Sequence, residues 1–177
     1  MELTITRATV DEAEETQAFY DKVTKYLEDH INYPMFVLGE YPAMEHTMAA
    51  ITTDTMYICR DENGVIVGAT KLNDDPEAPY ADDFWTQDLA DGEYMVIHRL
   101  CTDPDLKGTG IGRALVRFCL DTAKERGYKS VRMDVVPGNI PAERLYQGMG
   151  FRIAGSKDIG YYEDREFIVD LYEYDFL

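Results

Sequence analysis

The amino-acid sequence predicts an α/β fold, and two observations carry that prediction. Segments that alternate apolar and polar residues, as strands do, are interleaved with segments whose apolar residues recur at helical spacing. The dipeptide Asn63-Gly64 joins two strand-like segments and is a strong signal for a tight antiparallel hairpin. The chain has 177 residues, the size of one domain, and we predict a single domain over residues 1–177.

The N-terminal third of the chain begins with a strand and a helix. The alternation from Leu3 to Ala8 predicts the first strand. An apolar stripe from Asp11 to about His30 predicts a helix, and glutamates occupy its first turn, where the helix dipole favours anions. Residues 31–42 are aromatic and are interrupted by Pro34 and Pro42, so we predict a loop there.

The remaining elements are predicted from the same two periodicities and from the glycines and prolines between them. They are a helix from Ala43 to about Thr52, strands Thr55 to Arg60, Val65 to Lys71 and Tyr94 to Leu100, a helix from Ile111 that stops at Gly127, a strand from Ser130 to Val136, a helix around Pro141 to Gly148, and strands from Phe151 to about Lys157 and from Glu166 to Tyr174.

Composition and charge exclude several classes of function. The net charge of −17 opposes binding to nucleic acid or to an anionic membrane surface, because both need a basic surface. No run of apolar residues is long enough to span a bilayer and the N-terminus lacks the pattern of a signal peptide, so we expect a cytoplasmic protein. The three cysteines are far apart, which predicts core thiols and neither a disulfide nor a metal site.

A glycine-rich loop lies between a strand and a helix. Pro104 ends the strand, and Gly108, Gly110 and Gly112 stand at the entrance of the helix that follows. Backbone N–H groups in such a loop can turn toward one point, where the helix dipole reinforces them, so the loop is typical of a phosphate-binding site. The alternative is a tight turn without a ligand.

Two other phosphate-binding motifs fit this loop poorly. A P-loop needs a Lys-Ser or Lys-Thr pair after the last glycine, and Gly112 is followed by Arg113. The dinucleotide fingerprint Gly-x-Gly-x-x-Gly fails at Arg113 when counted from Gly108 and at Leu115 when counted from Gly110. Asp134 is the one feature that favours a nicotinamide-binding enzyme.

The segment Lys107-Gly-Thr-Gly-Ile-Gly112 resembles the acyl-CoA-binding motif Gln/Arg-x-x-Gly-x-Gly/Ala of the GCN5-related N-acetyltransferase superfamily. Lys107 stands at the Gln/Arg position, where it keeps a positive charge but lacks the planar fork of arginine. The segment from Asn139 to Phe151 is similar to a second block of that family, Asn-x-x-Ala-x-x-Leu-Tyr-x-x-x-Gly-Phe. The resemblance extends over nearly the whole chain.

The resemblance implies a mixed, largely antiparallel sheet that is splayed between strands 4 and 5, with helices on both faces. It also implies acetyl-CoA as a cosubstrate, whose pantetheine arm pairs with the exposed backbone of strand 4. The residues expected to contact it are Leu100, Cys101, Thr102, Lys107, Gly108, Thr109, Gly110, Ile111, Gly112, Arg113, Asn139 and Tyr146.

The chemistry of acetyl transfer to an amine requires a base, because an ammonium group must lose a proton before it can attack. His98 lies nine residues before Lys107, and this position resembles that of a strand histidine in the arylalkylamine N-acetyltransferases. The alternatives are a core histidine at this position and Glu93 as the base. The resemblance places the hydroxyl of Tyr146 near the CoA sulfur, where it can act as the acid; otherwise Tyr146 packs in its helix.

The acceptor side is indicated by two aromatic segments. In the resembled fold, the loop between the first two helices borders the acceptor, which makes Tyr33 and Phe36 candidate contacts. The acidic, aromatic segment 73–92 contains Tyr80 and Trp85 and is either a wall of the substrate site or a homodimer contact.

The sequence thus predicts an acetyl-CoA-dependent N-acetyltransferase that acts by direct transfer in a ternary complex. The acceptor is expected to be a small-molecule or peptide amine, whose identity stays open. The competing hypothesis is a catalytically silent acyl-CoA-binding regulatory or sensor domain.

Overall fold

The computed structural model describes residues 1–78 and 84–176. Seven strands form one sheet in the order β1-β2-β3-β4-β5-β7-β6. The strands are β1 Thr4–Arg7, β2 Met56–Arg60, β3 Ile66–Asn73, β4 Tyr94–Thr102, β5 Ser130–Val135, β6 Arg152–Asp158 and β7 Ile168–Asp175. The helices are α1 Ala13–Glu28, α2 Met44–Thr52, α3 Ile111–Glu125 and α4 Ile140–Gly148, with short 3-10 turns at Val10–Glu12 and Pro104–Leu106.

The chain divides into two compact units. The first unit comprises Met1–Leu72 and His98–Phe118, and the second comprises Asn73–Ile97 and Cys119–Leu177. The first unit therefore contains β1 to β3, α1, α2, the end of β4 and the start of α3. The second contains the start of β4, the end of α3 and all later elements.

The first unit has helices on both faces of its strands. Ile58 and Ile66 pack in a buried cluster with residues of α1 and α2, such as Tyr20. Their neighbours Cys59 and Val67 belong to a different buried cluster, which includes Ile111 and Leu115 of α3. Since side chains alternate across a strand, α3 lies on the opposite face from α1 and α2, as predicted.

The start of α3 lies very close to β3 at Gly68. A Cβ atom added at Gly68 would lie 2.8 Å from Leu115 Cδ1 and 3.0 Å from Ile111 Cγ2. A side chain at this position would force Leu115 and Ile111, or the first turn of α3, to shift away from the strand. Gly68 therefore sets how closely the first turn of α3 approaches the sheet.

The hairpin predicted at Asn63-Gly64 is present, and β2 pairs antiparallel with β3. Gly64 adopts a φ of +80°, a left-handed conformation that glycine accepts without strain. The carboxylate of Asp61 accepts hydrogen bonds from the N–H groups of Asn63 at 3.0 Å and Val65 at 2.9 Å. The turn is thus held by its own first side chain.

The second unit contains the parallel strand pair of the sheet. Tyr94, Met95 and Val96 of β4 lie opposite Ser130, Val131 and Arg132 of β5, and β4 continues to Thr102. The other pairings, β5 with β7 and β6 with β7, are antiparallel. The unit's core includes Tyr94, Val96, Val169 and Leu171.

Strand β4 is two residues longer than the sequence predicted. It was expected to end at Leu100 and ends at Thr102. The N–H of Asp103 still donates to Val67 O at 2.9 Å, and the next residue, Pro104, has no N–H to donate. The strand therefore continues to the position where Pro104 was predicted to end it.

Within residues 1–78 and 84–176, no helix combines the length and the apolar character needed to cross a membrane. The same residues contain no group of three or more histidine, cysteine or carboxylate side chains arranged to hold a metal ion.

Candidate active site

The link between β4 and α3 is organised by the buried carboxylate of Asp103, a residue that is only 7% exposed. One carboxylate oxygen, Oδ1, accepts the N–H of Asp105 at 2.9 Å. The N–H of Leu106 donates to the backbone oxygen of Asp103 at 3.0 Å. Asp103 therefore caps the short turn Pro104–Leu106 that precedes the glycines.

Lys22 of α1 neutralises this carboxylate. Its Nζ lies 2.8 Å from both carboxylate oxygens of Asp103 and 2.8 Å from Oδ2 of Asp105. The hydrogen bonds to Asp103 and Asp105 raise the pKa of Lys22, so the ammonium keeps its charge at neutral pH. The ion pair fixes the loop to α1.

The glycine loop has the conformation that the phosphate-binding hypothesis requires. Gly108 and Gly110 have φ values of +78° and +93°, which L-residues with a Cβ adopt only with strain. The carbonyl of Gly110 accepts the first helical hydrogen bond of α3, from Ala114 N–H at 3.0 Å. The amides of Ile111 and Gly112 therefore precede the hydrogen-bond ladder of the helix, at its positive end.

This geometry fits a pyrophosphate. A Cβ at Gly108 or Gly110 would meet no atom within 4 Å, so an anion can approach the backbone there. The side chain of Thr109 instead completes the loop, because its hydroxyl donates to Leu106 O at 2.7 Å. Arg113 is exposed on the first turn of α3.

Lys107 lies at the start of the loop and contacts α1. Its Nζ is 4.3 Å from the centre of the Tyr26 ring and hydrogen-bonds to the Tyr26 hydroxyl. The Tyr26 ring stacks on His30, with 3.9 Å between ring centres. Since Lys107 is exposed, its ammonium can exchange this aromatic contact for a phosphate oxygen.

The last part of β4 places four of the predicted site residues in the first unit. His98, Leu100, Cys101 and Thr102 are all half-buried. Leu100 packs against the α3-side cluster and Cys101 against the cluster of α1 and α2. The Thr70 hydroxyl donates to the His98 carbonyl at 3.2 Å, which ties His98 to β3.

Cys101 is a neutral thiol in this structure. Burial raises the pKa of the Cys101 thiol to about 12. A thiol with this pKa has almost no thiolate at neutral pH, and the thiolate is the nucleophile. The environment of Cys101 therefore favours direct transfer over a covalent acetyl-cysteine.

Glu93 lies in the second unit, just before β4. Lys129 hydrogen-bonds to its carboxylate and lowers its pKa, and the N–H of Ala90 donates to it at 2.9 Å. A carboxylate stabilised in its ionised form is a weaker base. These contacts favour a role for Glu93 in holding the start of β4.

Tyr146 and Asn139 lie on α4, also in the second unit. Tyr146 is 7% exposed and packs against Phe151 and Tyr172, with ring centres 5.7 and 6.2 Å apart. Asn139 caps the helix, since its Oδ1 accepts the N–H of Ala142 at 3.3 Å. In the second sequence block, Asn139 to Phe151, Asn139 therefore caps α4 and Tyr146 packs in an aromatic group. The predicted contacts of both residues with the cofactor stay predictions.

The predicted acceptor residues have different environments. Phe36 is buried and packs edge-to-face on Tyr41, whereas Tyr33 is half-buried. Trp85 packs in the core of the second unit, where its ring lies 4.2 Å from the Arg132 guanidinium. Tyr80 lies outside the described residues.

Some residues that shape the site were not singled out from the sequence. Gly68 had a usable signal, because an isolated glycine within a strand pattern indicates close backbone approach. Asp103 had a weaker one, the Asp-Pro step that begins a turn. Lys22 and Tyr26 had none, since their partners are 81 residues away in the sequence.

A comparison with protein families matches residues 11–151 to the Acetyltransferase (GNAT) family. An uncharacterized N-acetyltransferase of Methanocaldococcus jannaschii is 36% identical over 93 residues, which are 52% of this chain and 40% of that protein. A mycothiol acetyltransferase of Propionibacterium freudenreichii subsp. shermanii is 32% identical over 108 residues, which are 60% of this chain and 30% of that protein. The matched regions span less than half of the length of these relatives.

Solved structures share the fold over nearly the whole chain. An N-acetyltransferase from Staphylococcus aureus Mu50 superposes with a TM-score of 0.73 at 19% identity, covering 99% of each chain. A GNAT superfamily phosphinothricin acetyltransferase from Sinorhizobium meliloti, solved in complex with acetyl-CoA, has a TM-score of 0.72 at 15% identity and covers 99% of this chain and 89% of that one. The predicted fold class is confirmed.

The glycine loop can be tested with two variants that separate backbone strain from ligand approach. Gly112 lies in α3, so Gly112→Ala should keep or raise the melting temperature, because alanine is favoured in helices by roughly 1 kcal/mol. We expect it to weaken acetyl-CoA binding at least about tenfold, or about 1.4 kcal/mol, by blocking the backbone. Gly110→Ala, at a φ of +93°, should lower both stability and affinity.

Calorimetric titration and thermal melting measure both quantities. Gly148→Ala, at an exposed position of α4, is the matched control for helix propensity and should leave affinity unchanged. Native affinity in a stable Gly112→Ala variant would contradict a close approach of the pyrophosphate to this backbone.

Lys22 should support acetyl-CoA binding although it lies on another helix. In Lys22→Met the Asp103 carboxylate remains buried without its cation, and Asp105 loses the same partner. We expect acetyl-CoA to bind about three- to tenfold more weakly, a change of roughly 1 kcal/mol. Lys25→Met removes the same charge from α1 and controls for the net charge; equal affinities of the two variants would show that the ion pair does not shape the loop.

Proposed function

Because this chain belongs to the acetyltransferase (GNAT) family, we propose that it moves an acetyl group from acetyl-CoA to a primary amine. The transfer is direct, within a ternary complex. The observation that carries this proposal is the arrangement of the first unit, where the strand with His98 leads into a loop built to bind an anion. The acceptor is a small-molecule or peptide amine.

The glycine loop supplies the binding part of this activity. Its positive-φ glycines and the amides at the start of α3 fit a pyrophosphate, and Lys107 and Arg113 add positive charge in a chain whose net charge is −17. Acetyl-CoA, when bound, supplies the acetyl group as an activated thioester. In the first unit, the residues that would hold it are the backbone of Leu100, Cys101 and Thr102 and the loop from Lys107 to Gly112 with Arg113. The resemblance also assigns Asn139 and Tyr146 to the cofactor, and that assignment stays a prediction.

His98 is the base in this proposal. It removes the proton from the acceptor ammonium through an imidazole nitrogen, which leaves the amine lone pair free to attack the thioester carbon. Its half-buried position gives the ring both a fixed place and access to a ligand. Glu93 is less suited, because the hydrogen bond from Lys129 lowers the pKa of its carboxylate and so makes it a weaker base.

Tyr146 is the acid in this proposal. Its hydroxyl donates a proton to the sulfur that leaves as the new amide bond forms. Phenol hydroxyls stay protonated at neutral pH, with a reference pKa near ~10, so the donor is available. Packing between Phe151 and Tyr172 fixes the ring.

The acetyltransferase and the silent sensor can be distinguished by one assay. Thiol release from acetyl-CoA is followed with a panel of primary amines, and acetyl-CoA binding is measured in parallel by calorimetry. Release above the hydrolysis background with any amine supports the transferase, whereas tight binding without release supports the sensor.

The predictions of a cytoplasmic location, a single domain over residues 1–177 and a possible homodimer stay predictions.

Replacement of His98 should affect catalysis and not cofactor affinity. We expect His98→Ala to lower kcat by about a hundredfold or more, because general-base catalysis is typically worth that much. The acidic limb of the pH–rate profile should disappear, while calorimetry gives a native dissociation constant for acetyl-CoA. Glu93→Gln is the comparison: a large loss of kcat there, with a native profile for His98→Ala, would reverse the assignment.

Tyr146→Phe should separate acid catalysis from packing, since it removes the hydroxyl and keeps the ring. We expect native melting, native acetyl-CoA affinity and a kcat lower by ~10 to ~1000-fold. Tyr172→Phe removes a neighbouring hydroxyl in the same aromatic group and should stay near native activity. Native kcat in both variants would mean that solvent, and not Tyr146, supplies the proton.

A further inference from the structure

Arg99, the residue after His98, has an unusual backbone. Its φ is +49°, a left-handed conformation in the middle of β4, and only a few per cent of non-glycine residues have a positive φ. Such a conformation is strained and persists where the surrounding structure holds it. The Tyr20 hydroxyl, buried in the first unit, donates to the Arg99 carbonyl at 3.0 Å and so helps to fix this backbone conformation.

The guanidinium of Arg99 lies beside the connection between α1 and α2. Its Nη2 donates to the backbone oxygen of His46 at 3.4 Å, and its Cζ lies 5.9 Å from the centre of the Tyr41 ring. Arg99, Tyr41 and His46 are each half-buried, so this group is adjacent to solvent.

One nitrogen of this guanidinium is not satisfied. Nη1 of Arg99 is buried and has no hydrogen-bond partner among the residues that the structure describes. Buried charged donors without partners are rare, because the lost hydration is costly, and each one needs an explanation. Arginine cannot relieve the cost by losing its proton.

Residues 1–78 and 84–176 supply no counter-ion to Nη1 although acidic residues are abundant. The chain has 34 acidic and 17 basic side chains, yet none of the described carboxylates is a partner of Nη1. The nearby thiol of Cys101 stays neutral, because burial raises its pKa to about 12. An anionic ligand would satisfy this donor.

We propose that Arg99 binds an anionic group of the acceptor, so that the acceptor is an amine that also carries a carboxylate or a similar oxyanion. This inference rests on the proposed function, in which the neighbouring His98 takes the proton from the same molecule. The left-handed residue interrupts the alternation of β4, so the side chains of His98 and Arg99 are not forced to opposite faces.

The phosphates of acetyl-CoA are a less suitable partner for Arg99. The glycine loop already provides backbone amides and the cation Lys107 for them, on the link that follows Pro104. Arg99 instead contacts His46 of α2 and Tyr41, which lies in the segment 31–42 with Tyr33 and Phe36, the predicted acceptor contacts. A planar guanidinium also matches a carboxylate in shape, and such pairs are strong when desolvated.

The first experiment compares matched acceptors. Thiol release from acetyl-CoA is measured with each of the common L-amino acids and with the corresponding amino-acid amides, which keep the amine and lack the carboxylate. We expect the best acids to have a kcat/KM at least about tenfold higher than their amides, the size of one lost charged hydrogen bond. Arg99→Met should remove this preference through the acceptor KM, with acetyl-CoA affinity unchanged, and Arg99→Lys should restore part of it.

Arg7 offers a matched control. Its Cζ also lies 5.9 Å from a tyrosine ring, that of Tyr57, but it is paired with Asp54 at 3.7 Å. Arg7→Met should keep the preference for acids. If the wild-type protein acetylates amines and treats acids and amides alike, the proposal for Arg99 is overturned, and this result requires no variant to fold.

The second experiment does not depend on turnover. Thermal melting is followed with acetate, methylphosphonate or neutral acetamide as probes, at constant ionic strength. A ligand that binds only the native state raises the melting temperature, and we expect a rise with the anions for the wild type and Arg7→Met but a smaller one for Arg99→Met. An anion effect that depends on Arg99 without any amine turnover supports the site and contradicts the proposed function; an effect equal in all three proteins overturns the site.

Discussion

The pairing of the buried Asp103 carboxylate with Lys22 is the interaction on which the candidate active site depends. A carboxylate that is 7% exposed is stable only with good partners, and Asp103 has two, the Lys22 ammonium and the N–H of Asp105. These contacts fix the turn before the glycines to α1. Without that fixed turn, the backbone amides of the glycine loop would have no fixed orientation.

The same constraint explains how an acidic chain can hold an anionic cosubstrate. The global field of a protein with a net charge of −17 repels anions, so binding must come from local groups. Backbone amides and the dipole of α3 contribute partial positive charge that does not alter the net charge. Lys22 meanwhile pairs with the two carboxylates that lie beside the loop and offsets one of their two negative charges.

Burial and pairing distinguish the candidate reactive groups on and near β4. Burial keeps the thiol of Cys101 protonated, and pairing with Lys129 keeps the carboxylate of Glu93 ionised and weakly basic. His98 is the remaining group of the three, and it is half-buried next to a residue with a strained backbone. Strain of this kind is concentrated at functional sites, where the surrounding structure compensates for it.

The sequence by itself determined the order of the elements, the hairpin at Asn63-Gly64 and the glycine loop at the start of α3. Each of these depends on residues that are near one another in the chain, where periodicity, turn chemistry and glycine conformation act directly. Only the tertiary structure decided the pairing of Lys22 with Asp103, the contact of Lys107 with Tyr26 and the unsatisfied nitrogen of Arg99. Those features depend on the distances between residues that are far apart in the sequence. The energy of an ion pair varies with such a distance, which a local pattern of residues does not predict.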